Sequence, residues 1–311
     1  MTNTTLTSKI DFTPIRAEHK ALYDAFLTEE QGRGCEFSFA NLRLWGRQSM
    51  AQLHGHVALF SQFNRRSVYP FPLGKGDKKT ILDAIIADAA ERGIPCRITG
   101  ISEKSKETLE ELYPDRFRFH TDEGSYDYVY DINDLADLSG KKYHAKRNHI
   151  HRFEEAFPSA IAEPIGESNI DRVKQMLARW YETRLAENPD SDFQMEQVAL
   201  EKAFREYDAL GFVGLALTDG EEVLAFTLAT RLSDDTFDVH FEKAKSDVQG
   251  AYAAINRAFA RHIRATYPEV RYLNREEDMG LEGLRKAKQS YYPHHRVKKY
   301  WACLLEDGYE Y

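Results

Sequence analysis

Apolar and polar residues alternate along 56–63 (HVALFSQF) and 67–74 (SVYPFPLG), two stretches that flank the triplet NRR and predict a hairpin. Residues 77–93 then change period: Ile81, Ile85, Ile86 and Ala89 recur at helical spacing, with Asp77 as N-cap and Gly93 as the stop. A strand (PCRITGI), a helix (SKETLEELY), a strand (FRFHT) and an extended stretch (YDYVYD) complete the first half. The second half opens with helices over about 169–187 and 193–209, followed by three strands, FVGLALT, EVLAFTLATRL and TFDVHFEKA, joined by DGEE and SDD turns. A helix (AYAAINRAFARHIRATY), a strand (VRYLN), a helix (LEGLRKAKQSYY) and a strand (RVKKYWACLL) close the chain. Both halves thus end in one order: antiparallel strands, helix, strand, helix, strand.

Length agrees with this duplication, because 311 residues exceed what one hydrophobic core normally organises. Two domains are expected, over 1–135 and 161–311, with a basic junction helix at 136–160 and the active site in the second domain. A hydrophobic content of 42% supplies both cores. The longest apolar runs, such as VLAFTLA, fall well short of the roughly 20 residues that cross a bilayer, and the N-terminal residues lack a signal-peptide core, so a cytoplasmic protein is expected. Cys35, Cys96 and Cys303 are widely spaced and predict buried thiols, not disulfides or a thiolate metal site.

Charge is unevenly placed. The chain carries a net −8, yet 141–153 (KKYHAKRNHIHRF) holds five Lys/Arg and three His, and 283–305 holds six Lys/Arg with no acidic residue. These eleven cations leave −19 for the rest of the chain, which would orient a polyanion toward the two islands.

The repeated element order matches the acetyltransferase-like fold of the GNAT superfamily, so the expected fold class is α/β with mixed sheets, in two tandem GNAT-like (acyl-CoA N-acyltransferase-like) domains. In that core a helix N-terminus lies where two parallel strands part, a seat for an anionic or carbonyl-bearing donor. The segments CEFSFANLRLW, YDYVYDINDLADLSGKKYHAKRNHIHRFEEAFP and YLNREEDMGLEGLRKAKQSYYPHHRVKKYW resemble a bacterial family grouped with the C-terminal catalytic domain of phosphatidylglycerol lysyltransferases. The resemblance covers nearly the whole chain. It implies paired GNAT-like domains and kinship with Fem-type aminoacyltransferases, which draw their acyl group from aminoacyl-tRNA. Full lysyltransferases add a membrane flippase segment, and no run in this sequence matches one.

Candidate site residues fall in four places. If Ser139 caps a helix to about Phe157, Tyr143, Ile150, Phe153 and Phe157 form its apolar stripe, and Lys146, Arg147 and Asn148 can turn their polar heads to a ligand between the halves; a solvated face is the plainer alternative. The block NREEDMG places Asn274, Arg275, Glu276 and Asp278 at the end of a central strand, where open α/β sheets bind ligands. Glu276 and Asp278 there suit holding an α-ammonium or taking a proton from an amine, although Asp278 could equally cap the next helix. In TFDVHFEKA, strict alternation puts Phe237, Val239, Phe241 and Lys243 on one face and Asp238, His240 and Glu242 on the other, making His240 catalytic and Glu242 substrate-binding if the strand is central. Around the last turn, Tyr291 and Tyr292 are expected to bind substrate, and one of Lys298 and Lys299, which point oppositely, to stabilise an oxyanion; the sequence does not choose between them, and Lys298 is carried as the catalytic candidate.

The donor is read from the start of the long second-half helix. GNAT enzymes using acyl-CoA carry a Gln/Arg-x-x-Gly-x-Gly/Ala loop there; this chain has Asp247 three residues before Gly250 and Tyr252 two after it, which disfavours a pyrophosphate. Gln249, Gly250 and Ala251 remain the cofactor-contact candidates. Aminoacyl-tRNA as donor, with no bound cofactor, is the first expectation; acetyl-CoA or another acyl-CoA is the alternative, and a non-catalytic tRNA- or peptide-binding module a third reading. The acceptor is expected to be a small molecule, peptide or lipid, with no DNA partner and at most peripheral membrane contact. His54/His56 and His294/His295 lack a third ligand at metal spacing, so no metal is expected. With no nucleophile motif, direct acyl transfer is the expected chemistry.

Overall fold

The computed structural model describes residues 9–29, 34–45, 48–63, 66–189 and 193–305. They fall into two compact units, Met1–Tyr126 with Val297–Tyr311, and Asp127–Arg296.

In the first unit, β1 (Thr13–Pro14), α1 (Lys20–Glu29) and α2 (Phe39–Leu44) precede a meander of β2 (Gln48–Leu53), β3 (His56–Phe63) and β4 (Arg66–Pro70). The expected hairpin is β3 and β4, with residues 64–65 of its turn outside the described residues. Next come α3 (Lys78–Arg92), β5 (Arg97–Ile101), α4 (Glu103–Leu112) and β6 (Phe117–Thr121). As the sequence predicts, Asp77 caps α3 by accepting from the Thr80 amide at 2.9 Å, and Gly93 ends it in the left-handed region. The sheet runs β1-β2-β3-β4-β5-β14-β6, with β14 (Tyr300–Leu304) inserted between β5 and β6. Where β4 leaves its parallel partner β5, the buried Phe37 ring packs so tightly on Gly100 that a Cβ there would sit 2.7 Å from it.

The second unit starts with β7 (Asp127–Asp131), α5 (Ile132–Asp137), α6 (His144–Ala156) and β8 (Ile161–Pro164), then α7 (Ile170–Glu187), α8 (Gln194–Arg205) and α9 (Tyr207–Leu210). A meander of β9 (Val213–Asp219), β10 (Glu222–Arg231) and β11 (Thr236–Ala244) leads into α10 (Ala251–Thr266), β12 (Tyr272–Asn274), α11 (Glu282–Gln289) and β13 (His295–Val297). Strand order is β13-β7-β12-β11-β10-β9-β8. Its core gathers Tyr128, Tyr130, Leu135, Ile150, Phe153, Phe237, Ile255 and Phe259. No helix among the described residues is long and apolar enough to cross a membrane.

Three features differ from the sequence reading. The second unit begins at Asp127, so the basic segment lies inside it as α6, whose Ile150 and Phe153 are buried in its core. Ser139 does not cap α6: a 3-10 turn over Lys141–Tyr143 leads in, and the helix starts at His144. RVKKYWACLL, read as one strand, breaks at Lys298 and Lys299 into β13 and β14, which join different sheets. Alternation reports which side chains share a face and says nothing about which neighbour supplies the backbone hydrogen bonds. As a result β7 and β14 take the same slot in the two sheets, each between the strand after the long helix and the edge strand.

Candidate active site in the second unit

β11 and β12 run parallel for three residue pairs, ending at Asp238↔Asn274, and then part. β11 continues for six residues while the chain after Asn274 turns away as a loop, so side chains from both fill the gap. A register shift opposite Leu228 and Ala229 leaves His240 as an extra residue in β11. That bulge breaks the strict alternation expected for this strand. Phe237 and Val239 share the α10 face with Glu242 and Ala244, whereas Asp238 and His240 share the opposite face with Phe241 and Lys243.

On the α10 face Glu242 is the centre. Arg275 Nη2 donates to its Oε1 at 2.8 Å and Asn256 Nδ2 to its Oε2 at 3.2 Å. The Arg275 guanidinium lies over two buried rings, 5.0 Å from the centre of Tyr291 and 5.7 Å from Tyr130. Lys146 reaches in from α6, donating to Ser290 Oγ at 2.7 Å with its ammonium 3.8 Å from the Tyr291 ring centre. Burial, aided by the nearby Arg275 charge, lowers the Lys146 ammonium to about 8.

Across the sheet, His240 Nε2 shares a 2.8 Å hydrogen bond with Thr230 Oγ1, and Nδ1 faces Glu276 Oε1 at 3.2 Å and Asp238 Oδ2 at 3.6 Å. Asp238 and His240 are sealed from solvent, while the Glu276 side chain keeps 24% of its surface. The ligand atoms of these three lie within 4.8 Å of one another, a spacing that an ammonium or a cation could bridge. Glu276 holds φ at +58°, a left-handed conformation that costs a side-chain-bearing residue about 1 kcal/mol or more.

Several expected site residues instead hold the loop in that shape. Asn274 donates to Asp127 Oδ2 at 2.9 Å and accepts from the Glu276 amide at 2.8 Å, so it positions the loop. Asp278 accepts from Tyr128 Oη at 2.6 Å, Arg285 Nε at 2.9 Å and the Gly280 amide at 2.8 Å. The Arg285 guanidinium holds its carboxyl well below the usual carboxylate range. Lys288 clamps the carbonyls of Arg275 and Glu277.

The other expected site residues lie as follows. Arg147 donates to the carbonyls of Leu138 and Gly140 just past α5, and Asn148 lies exposed against His144. Tyr291 belongs to the gap, but Tyr292 is exposed and packs on Tyr143. Lys298 is part of the first unit, where it pairs with Glu103 at 2.9 Å beside Tyr300; Lys299 pairs there with Glu36 at 2.8 Å. At the start of α10, Gly250 adopts φ +83°, and a Cβ there would lie 2.1 Å from the His149 carbonyl oxygen, so α6 closes over the helix start flanked by exposed Gln249 and buried Ala251. Asn256 was missed from sequence, although a polar residue in the Ala253, Asn256, Ala260, Ile263 stripe of α10 was a readable signal.

Two mixed sheets, each with a parallel pair that parts beside a long helix, define the class: a tandem GNAT-like fold. The family described as phosphatidylglycerol lysyltransferase, C-terminal, matches residues 28–303, and this chain belongs to it, which places it among transferases. A conserved protein of unknown function from Bacteroides thetaiotaomicron is 36% identical, with a TM-score of 0.89 over 95% of this chain and 99% of that one. L-PGS from Bacillus licheniformis (17% identity, TM-score 0.65, 91% of each chain) and FemX (11%, 0.62, 96% of this chain and 98% of that one) share the fold. An uncharacterised protein of Mycoplasmoides gallisepticum is 23% identical over 184 residues, 59% of this chain; the chain spans 58% of that relative.

Proposed function

We propose that the second unit moves an aminoacyl group from aminoacyl-tRNA directly to an amine or hydroxyl acceptor. The observation that carries this reading is the parting of β11 from β12 in the second unit, where Lys146, Arg275 and Glu242 gather on the α10 face and His240 and Glu276 on the opposite face. In the first unit the Phe37 ring packs against Gly100 just past the β4–β5 pairing, which supports chemistry in the second. Glu276, partly exposed and steadied by His240, accepts the proton of the attacking N–H or O–H. The new bond forms at the ester carbonyl carbon, the ester C–O bond to the tRNA ribose breaks, and the released ribose hydroxyl takes up a proton. The cationic side of the gap, Lys146 and Arg275, favours the oxygen that gains negative charge, the role first read for Lys298.

The start of α10 supports a tRNA donor over acyl-CoA. A pyrophosphate there would meet the His149 carbonyl oxygen packed on Gly250, an atom of like polarity in the space its oxygens need. For the acceptor arm, Lys141, Lys142 and Arg152 are the exposed cations of the basic island, and Lys141 and Arg152 are the phosphate contacts of this reading.

The test is a donor panel: the purified chain is incubated with radiolabelled aminoacyl-tRNAs and with acetyl-CoA, and label transfer to added amines and hydroxyl compounds is followed. Transfer from at least one aminoacyl-tRNA and none from acetyl-CoA is expected. Glu276→Gln should lower that transfer at least tenfold, about 1.4 kcal/mol of transition-state stabilisation, with an unchanged melting curve. Transfer from acetyl-CoA alone would overturn the donor, and an undiminished Glu276→Gln enzyme would overturn the base.

A further inference from the structure

Asn256 is 3% exposed, and its Nδ2 is committed to Glu242 Oε2. Its Oδ1 meets no hydrogen-bond partner among the described residues. The amide cannot simply turn over, because that would set Oδ1 against the carboxylate. At the other oxygen of the same carboxylate, Arg275 commits Nη2, while its buried Nη1 likewise meets no partner among the described residues.

A buried acceptor or cationic donor left unmatched costs about 1–3 kcal/mol, and the pairing with Glu242 accounts for Asn256 Nδ2 and Arg275 Nη2 but not for Oδ1 and Nη1. Glu242 therefore holds, one at each oxygen, a bare acceptor and a bare charged donor. The group that matches both offers an N–H donor and an acceptor oxygen a few bonds apart. The carboxylate between them favours a positively charged N–H. An α-aminoacyl group has this combination, an ammonium on the carbon next to its carbonyl; a simple acyl group lacks the ammonium, and an N-acylated residue has lost its charge.

We propose that Asn256 Oδ1 and Arg275 Nη1 form the subsite that reads the free α-ammonium and the carbonyl of the aminoacyl donor, so that donors blocked on the α-nitrogen are rejected. The subsite rests on the aminoacyl-transfer reading and adds Asn256 as its specificity residue. Glu242 fixes both partners, and the Tyr291 and Tyr130 rings keep water from competing for the guanidinium.

The experiment compares aminoacyl-tRNA with its N-acetylated form in the transfer assay. In parallel, an amino acid amide and its N-acetyl counterpart are titrated calorimetrically, for the wild type and Asn256→Ala. N-acetylation should reduce kcat/KM and amide affinity at least tenfold in the wild type, and Asn256→Ala should narrow that preference to about twofold. Equal use of blocked and free donors by the wild type overturns the subsite while leaving the transfer reading intact. Full rejection of the blocked donor by a folded Asn256→Ala protein also overturns it, since the discrimination then lies elsewhere. If Asn256→Ala does not fold, the wild-type comparison decides alone. No transfer from any donor, together with no binding of the amide, would end both the subsite and the reading it rests on.

Discussion

Lys146 shows how far one position can depart from its neighbours. Within KKYHAKRNHIHRF most cations are exposed or tied to nearby backbone and carboxylates, yet Lys146 points into the second unit over the Tyr291 ring. Burial lowers its ammonium from the ordinary 10.5 to about 8, and that shift has a signed consequence for stability. Below about 8 the residue is charged both folded and unfolded, so folding carries the full cost of burying the ammonium. Between about 8 and 10.5 the native state has already lost the proton that the unfolded chain still holds, so the cost falls as pH rises. Lys146→Met should therefore gain most relative to the wild type near pH 7, and the gain should shrink through that window in urea unfolding. A difference constant from pH 7 to pH 10.5 would show that the buried charge costs nothing.

Among the elements, α10 sets most of the site. Its apolar stripe, Ala251, Ile255, Phe259 and Ile263, docks it on the sheet, and that docking carries Asn256 to Glu242. The helix start is closed because α6 crosses it with the His149 carbonyl against Gly250. Gly250 is required twice over, by φ +83° and by the missing space for a Cβ. Gly250→Ala should cost about 2–3 kcal/mol by combining left-handed strain with overpacking. Chemical denaturation would read this directly. A loss under 0.5 kcal/mol, the size of an ordinary surface substitution, would mean that α6 moves away easily and that the helix start can open. β11 contributes through its bulge, which sends His240 and Glu242 to opposite faces of one strand.

For the whole molecule, strand exchange is the governing fact. β14, the last strand among the described residues, lies between β5 and β6 and pairs with both, while β7 leaves the first half to sit beside β12. A chain ending at Arg296 would expose facing edges of β5 and β6 and remove the buried Ala302 and Leu304 from the first unit's core. In hydrogen exchange, β5 and β6 amides of that truncated protein should lose protection by at least tenfold, with β9, β10 and β11 retaining theirs. Retained protection in β5 and β6 would show that the first sheet closes without its exchanged strand.

Local signals in the sequence were enough for the elements that depend on local chemistry. Asp77 and Gly93 mark α3 because capping and left-handed termination are short-range, the period of α10 comes from one-sided burial, β9 and β10 read as apolar runs between turns because both their faces are buried, and the NREEDMG loop follows a central strand as its turn residues imply. Family-level resemblance lay in the same linear segments. What only the tertiary structure decided was partnership. No local pattern distinguishes a lysine whose neighbours leave it outside from one, like Lys146, whose helix turns it onto a buried ring. Nor does any mark Arg147 and Asp278 as charges consumed by the fold, or Lys298 as a residue of the first unit. The bulge at His240 is equally silent in sequence, because it arises from how β11 registers against β10. Hydrogen bonds and ion pairs act over a few ångströms in space, and the residues that complete this site, such as Glu242 and Arg275 or Lys146 and Ser290, are 33 and 144 positions apart in the chain.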